Sequence, residues 1–309
     1  MTYIMLLAGL LLLVLSGELL VRGGASLAGH FRLSPMVVGL TVVSFGTSSP
    51  ELVVSLDAAI KGYPDISLGN VVGSNISNLG LVLALTVIIT PFFVNRKEII
   101  NDMIIMAGVS MVLFIMLIDL RFSRVEGLIL VVMLVAYIYR SIRNDKKRQK
   151  GSPVVLRYSL PLSVTIVILS SLGLVVGANM LVKSASTVAS ALGISERIIS
   201  VSVIAVGTSL PELSTSVIAG IRKENGISIG NVVGSNIFNI LAVLGITASV
   251  KPYSINDLHF KSDMYWMIGI AILLIIMTLP SKNSRLSRWK GIFLALLYLS
   301  YLSLVFFVR

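Results

Sequence analysis

Apolar residues fill blocks of roughly 20 to 30 along almost the whole chain, separated by short polar turns. A helix needs about 20 such residues to cross a hydrocarbon core. Ten crossings are predicted, near 2–22, 34–60, 66–93, 101–119, 125–141, 156–182, 195–221, 227–249, 263–280 and 288–308. Membrane barrels would instead show short strands of alternating polarity. The fifth block ends in a polar, basic run from Arg140 to Lys150, which divides the chain into residues 1–140, a linker at 141–155 and residues 156–309. Five crossings per part is an odd number, so the second part must enter the membrane from the opposite side. The expected fold is an all-α integral membrane protein of ten helices in two inverted five-helix repeats.

Polar residues inside the apolar blocks carry a repeat. Gly46-Thr47-Ser48-Ser49-Pro50-Glu51 returns 161 positions later as Gly207-Thr208-Ser209-Leu210-Pro211-Glu212. At the same offset, Gly69-Asn70-Val71-Val72-Gly73-Ser74-Asn75-Ile76-Ser77-Asn78 returns as Gly230-Asn231-Val232-Val233-Gly234-Ser235-Asn236-Ile237-Phe238-Asn239. Each copy therefore sets one carboxylate and a row of hydroxyls and amides in hydrophobic sequence. An acidic residue at mid-helix costs about 2.5–3.5 kcal/mol even on the lenient insertion scale.

Local chemistry suggests what the two blocks build. Pro50 cannot donate to the carbonyl of Gly46 and crowds that turn, so a break is expected there, with a new half-helix starting near Glu51. Freed carbonyls at membrane depth must be satisfied by something. Asn70, Ser74 and Asn78 recur every fourth residue and share one helix face, with Gly69 and Gly73 spaced for close helix approach. Pro211, Glu212, Asn231, Ser235 and Asn239 repeat the arrangement, and inversion would bring both sets together near the midplane. The expected ligands are all oxygen, which suits hard cations such as Ca²⁺ and Na⁺. Two carboxylates match one Ca²⁺ or two Na⁺ in charge. Asp57, whose counterpart is Ile218, faces away from Glu51, and Glu18, whose counterpart is Asn179, is expected to make a helix–helix hydrogen bond.

Composition adds constraints. Hydrophobic residues make up 56% of the 309 and charged ones 13%, against about a quarter charged in a soluble domain. There is no cysteine, which excludes disulfides and thiolate metal sites. His30 and His259 are expected in solvated loops. The net charge of +11 points to membrane orientation rather than to nucleic acid. With the amino terminus outside, the inner connections hold 17 Lys and Arg against 8 outside, as the positive-inside rule favours. Both termini are then outside. No basic residue precedes the first apolar run, so it is expected to be a membrane helix and not a cleaved signal.

On these paired motifs the chain resembles the sodium/calcium exchangers of the calcium/cation antiporter superfamily, of prokaryotic type, over nearly its whole length. The resemblance implies ten helices, a cluster of four ion positions, no enzymatic activity, no cofactor beyond the transported ions, and a prokaryotic cell membrane. Carried over, Glu51 and Glu212 bind Ca²⁺ with the carbonyls of Thr47 and Thr208. Sodium uses the same glutamates with Ser48, Ser74, Ser209 and Ser235 and the carbonyls of Ser44 and Ala205. Asn78 and Asn239 border the central position. Several relatives carry an aspartate at one of these two places, and here both are asparagine. The first and sixth helices are the implied sliding gate.

The expected activity is antiport of Ca²⁺ against Na⁺ by alternating access, for which a monomer suffices. A proton/calcium exchanger and a cation channel are the rival readings. No Ser/His or His-metal arrangement falls in a membrane block, which argues against an intramembrane enzyme.

Overall fold

In the computed structural model, residues 2–148, 157–191, 207–255, 260–279 and 283–307 are described. Eleven helices are found among them: α1 (Thr2–Phe31), α2 (Pro35–Thr47), α3 (Ser49–Ile60), α4 (Pro64–Ile89), α5 (Arg96–Met116), α6 (Arg124–Arg148), α7 (Leu160–Ala191), α8 (Leu210–Ile221), α9 (Asn225–Val250), α10 (Phe260–Thr278) and α11 (Arg288–Phe307). Eight are long and apolar enough to cross a membrane, and α2 with α3 forms a ninth, bent by 45°. Of the predicted block 195–221, the described part is α8 and the residues just before it.

The connections differ from expectation in one respect. α1 continues to Phe31 and does not stop near residue 22. Its added turns are rich in Gly, Ala and Ser, and they pack on α7 rather than facing lipid. Contacts along this pair run in opposite directions: Gly9 meets Gly177, Gly173 meets Ser16, and Gly23 meets Ile166. Ser163 donates to Ser26 at 2.8 Å. His30, expected in a solvated loop, is half-buried in the last turn of α1, with Nε2 2.7 Å from the carbonyl of Tyr158. His259 lies outside the described residues.

α9 is the central helix. Its membrane stretch is 94% buried, against 22% for that of α7. A helix apolar or small on every side can be enclosed this way, and α9 carries Gly230 and Gly234 against α2. A Cβ on Gly230 would lie 2.5 Å from the carbonyl of Met36, and one on Gly234 would lie 2.6 Å from that of Leu40. Only glycine permits so close an approach. The first-copy counterparts behave differently: Gly69 and Gly73 line a cavity and pack on no described helix.

Two short antiparallel ribbons tie connections of the two halves together. β1 (Phe92–Asn95) pairs with β4 (Asn283–Leu286), Phe92 opposite Leu286. β2 (Arg121–Phe122) pairs with β3 (Tyr253–Ser254), Phe122 opposite Tyr253. Phe92 and Tyr253 are 161 apart, while Phe122 and Leu286 are 164 apart, so one ribbon is the counterpart of the other after a three-residue lengthening of the second copy.

Helix ends repeat as well. After α3, Tyr63 N–H bonds Ala58 at 2.9 Å and Gly62 bonds Ala59 at 3.2 Å; after α8, Glu224 bonds Ala219 at 2.9 Å and Lys223 bonds Gly220 at 3.0 Å. This closing motif needs a left-handed residue. Gly62 supplies it at φ +84°, and Lys223 at +62°.

Candidate functional site

The break in the second crossing falls at Ser48, where ψ is 7° in place of a helical value, and Pro50 sits in the first turn of α3. Ser209 repeats it ahead of α8, with φ −86° and ψ 3°, and Pro211 sits in that first turn. Ser49 Oγ takes the carbonyl of Phe45 at 2.7 Å, and Ser48 N–H takes that of Ser44 at 2.9 Å. Pro50 leaves Gly46 without its usual helical donor. Wide helical turns also occur at Gly39–Val43 in α2, Asn78–Val82 in α4 and Asn239–Leu244 in α9. Such turns recur at functional sites because they push ladder carbonyls aside.

These features place both carboxylates in the first turns of their half-helices. Glu51 and Glu212 are fully buried and within Coulombic reach of each other. Glu212 Oε1 accepts from Ser48 Oγ at 3.1 Å, a contact between the halves. Its Oε2 and both oxygens of Glu51 have no hydrogen-bond donor, although the Ser74 hydroxyl lies beside Glu51. The hydroxyls of Ser74 and Ser209, both amide atoms of Asn78 and Oδ1 of Asn239 are also buried without a partner. Orphaned polar atoms of this number are rare in a folded interior, where each costs about 1–3 kcal/mol. Their concentration around two carboxylates is what an oxygen cage for a cation requires. Among the described residues no three His, Cys, Asp or Glu side chains gather.

The other expected residues are placed as follows. Thr47 is fully buried, and its Oγ1 donates to Asn231 Oδ1 at 3.1 Å and lies 3.3 Å from Ser235 Oγ. Ser44 Oγ reaches the carbonyls of Gly39 at 2.7 Å and Asn231 at 3.0 Å. Thr208 borders a cavity of about 500 Å³ that also touches Asn70, Ser74 and Asn179. Ala205 lies outside the described residues. Asp57 is exposed and pairs with Lys61 at 2.7 Å. Glu18 does make a helix contact, as an ion pair with Arg22 and Arg222.

One expectation needs correcting. Asn70 was expected to present its side chain to Glu51 across the shared face. Instead its amide donates to the carbonyl of Glu51 at 3.3 Å and to Ser55 Oγ at 2.9 Å. Asn231 does the same with Glu212, 3.4 Å, and Ser216, 3.0 Å. Both asparagines brace the half-helices and leave the carboxylates to others. The motifs also concealed a function for their second asparagine. Asn75 donates to the carbonyl of Asn236 at 3.2 Å, and Asn239 donates to Asn75 Oδ1 at 3.1 Å, stitching α4 to α9. The signal was present, since Asn75/Asn236, Ser55/Ser216 and Ser67/Ser228 all keep the 161-residue spacing.

Comparison with known proteins agrees with this construction. A family model described as "Sodium/calcium exchanger protein" matches residues 1–143 and 162–307. The inner membrane protein YrbG of Escherichia coli is 32% identical, with 98% of this chain and 96% of that protein aligned. The sodium/calcium exchanger MaX1 of Methanosarcina acetivorans is 28% identical over 99% of both chains. Among solved structures, the sodium-calcium exchanger NCX_Mj, soaked without Na⁺ and Ca²⁺, superposes with a TM-score of 0.86 at 31% identity over 98% of each chain. With motif, fold and family match in agreement, the chain belongs to the sodium/calcium exchanger family: it is an integral membrane cation exchanger, and not an enzyme.

Proposed function

We propose that this protein exchanges Ca²⁺ for Na⁺ by alternating access, using one cage that the two ions occupy in turn. The observation that carries the reading is the pair of buried carboxylates, Glu51 and Glu212, on broken helices of opposite halves with unpartnered oxygens around them. Ca²⁺ takes both glutamates with the carbonyls of Thr47 and Thr208. Na⁺ ions take the same glutamates with Ser48, Ser74, Ser209 and Ser235 and the carbonyls of Ser44 and Ala205. Asn78 and Asn239 border the central position. An empty cage holds two uncompensated negative charges in a low-dielectric surround, which opposes the switch between faces and so couples the fluxes.

Ten crossings in two inverted halves, 1–140 and 156–309 about the linker at 141–155, complete the reading. The ribbons support it by parity. β1 and β4 can pair only if an even number of crossings separates them, and likewise β2 and β3. Counting α5, α6, α7, α9 and α10 gives five between the first pair, and α6, α7 and α9 gives three between the second. Both become even when the segment ending in α8 is a full crossing. The exchange of one ribbon for the other under the repeat supports the inversion. Basic residues on the inner connections support termini that face outward in a prokaryotic cell membrane, and one chain contains the whole cage.

The test is ⁴⁵Ca²⁺ uptake into proteoliposomes under separately imposed sodium, potassium and proton gradients. Saturable uptake driven by the sodium gradient at clamped pH is expected. Uptake driven by protons alone would transfer the reading to a proton/calcium exchanger, in which the two glutamates would carry the protons. Flux without a counter-ion would indicate a channel.

A further inference from the structure

The two ends of the molecule are closed to different degrees. At one end α1 lies along α8. Ser214 donates to the carbonyl of Leu13 at 2.9 Å, and a Cβ on Gly17 would lie 2.8 Å from both Ser214 Oγ and Ile218 Cδ1. One turn further, Arg222 grips the Glu18 carboxylate with two nitrogens, Nε to Oε2 at 2.8 Å and Nη2 to Oε1. Arg22 holds the same carboxylate from within α1 at 2.5 Å.

The repeat shows what the other end has in these places. Glu18 corresponds to Asn179, Arg222 to Lys61, Ser214 to Val53 and Ile218 to Asp57. Asn179 is exposed and lines the 500 Å³ cavity that reaches Asn70 and Ser74. Val53 is 67% exposed, whereas Ser214 is half-buried against α1. Lys61 does not reach across to α7, because Asp57 on its own helix takes it. So the end that is open has an amide where the closed end has a carboxylate. It also has a local ion pair where the closed end has one between helices.

We propose that Glu18 is a gating residue, and that its fork with Arg222 is a latch on the inner ion pathway with no equivalent at the outer mouth. This rests on alternating access and the outward-facing termini proposed above. Applying the repeat to the open cavity predicts the lining of the closed path: Val182 borders the cavity, and its counterpart Val21, buried at 1% exposure, borders the path that Glu18 shuts. Asymmetric latching holds the exchanger facing outward until bound ions compensate for the loss of the pair. A charge-assisted, two-pronged bond is the geometry that can bias such an equilibrium.

The chain lacks cysteine, so single cysteines report without background. The experiment is labelling of Val21→Cys in the full chain by a membrane-impermeant maleimide applied from the cytoplasmic side. Glu18→Gln and, separately, Arg222→Gln are expected to speed labelling about threefold to fivefold, the range open to a partly exposed ion pair. Lys61→Gln is expected to leave it unchanged. Leu244→Cys, in the core of α9 with 0% exposure, reports unfolding and should stay unlabelled in every background. Equal rates in the parent and both latch variants overturn the proposal, as does an equal effect of Lys61→Gln. Labelling needs no transport, so a faster rate in vesicles that show no sodium-driven calcium uptake would retain the latch and refute the exchange reaction.

Discussion

Substituting Glu51 by glutamine removes one charge from the cage and leaves its shape. Both Glu51 oxygens are buried without a donor, so an amide there breaks no hydrogen bond of the ion-free protein. It does remove the repulsion between Glu51 and Glu212. The ion-free variant should therefore melt a few degrees higher than the parent. Ion binding should move in the opposite direction. Truncating one member of a buried charge pair costs about 3–5 kcal/mol, which at about 1.4 kcal/mol per decade weakens Ca²⁺ roughly a hundredfold to several-thousandfold. A thermal-shift titration with Ca²⁺ reads both quantities. At 100 times its dissociation constant a ligand stabilises by about 2.7 kcal/mol, so the parent should show a large shift and Glu51→Gln almost none. Uptake of ⁴⁵Ca²⁺ in proteoliposomes should disappear with it. A parent-like Ca²⁺ shift in Glu51→Gln, or parent-like uptake in the double variant with Glu212→Gln, would refute the cage. A lowered ion-free melting point would refute the claim that the carboxylate is there at a cost to stability.

Four other outcomes follow from the packing. Ser48→Ala removes the hydroxyl that donates to Glu212 and that is assigned to Na⁺, and should weaken Na⁺ by about 1.5–3 kcal/mol, measured in a thermal-shift titration with Na⁺. Gly234→Ala forces a methyl against Leu40 and should cost about 1–3 kcal/mol with reduced uptake, while Gly73→Ala, at the equivalent place beside the cavity, should melt like the parent. Asn231→Ala should destabilise more than Asn70→Ala in thermal melts, because Asn231 also accepts from Thr47 of the other half. Lys223→Gly should raise the melting point, since a left-handed lysine costs about 1 kcal/mol that glycine avoids, whereas Gly62→Ala should lower it.

How much of this was legible beforehand depended on what the repeat could express. Pro50 and Pro211 betrayed the breaks, and the repeated motif betrayed the two buried glutamates, because both signals are local and doubled. The length of α1 was not legible, since Gly23, Gly24 and Ser26 look like a turn until α7 is placed against them. Periodicity likewise put Asn70 on the correct face but could not show that its amide would be taken by a carbonyl only one helix away. The ribbons escaped altogether: β2 is two residues long, and its partner lies more than a hundred residues distant. The equivalence of the glycine pairs was misleading, because the two ends of the molecule are packed differently.

The β1–β4 ribbon joins residues separated by more than half of the polypeptide. During synthesis the first half must wait in the bilayer with Glu51 facing no opposite carboxylate until the segment carrying Glu212 is made, and with Phe92–Asn95 unmatched until the last connection emerges. Assembly is thus forced to finish late, and contacts of such separation form slowly. A chain truncated before β4 should persist as an unfinished intermediate, exposed to quality-control proteolysis, rather than as a smaller working unit.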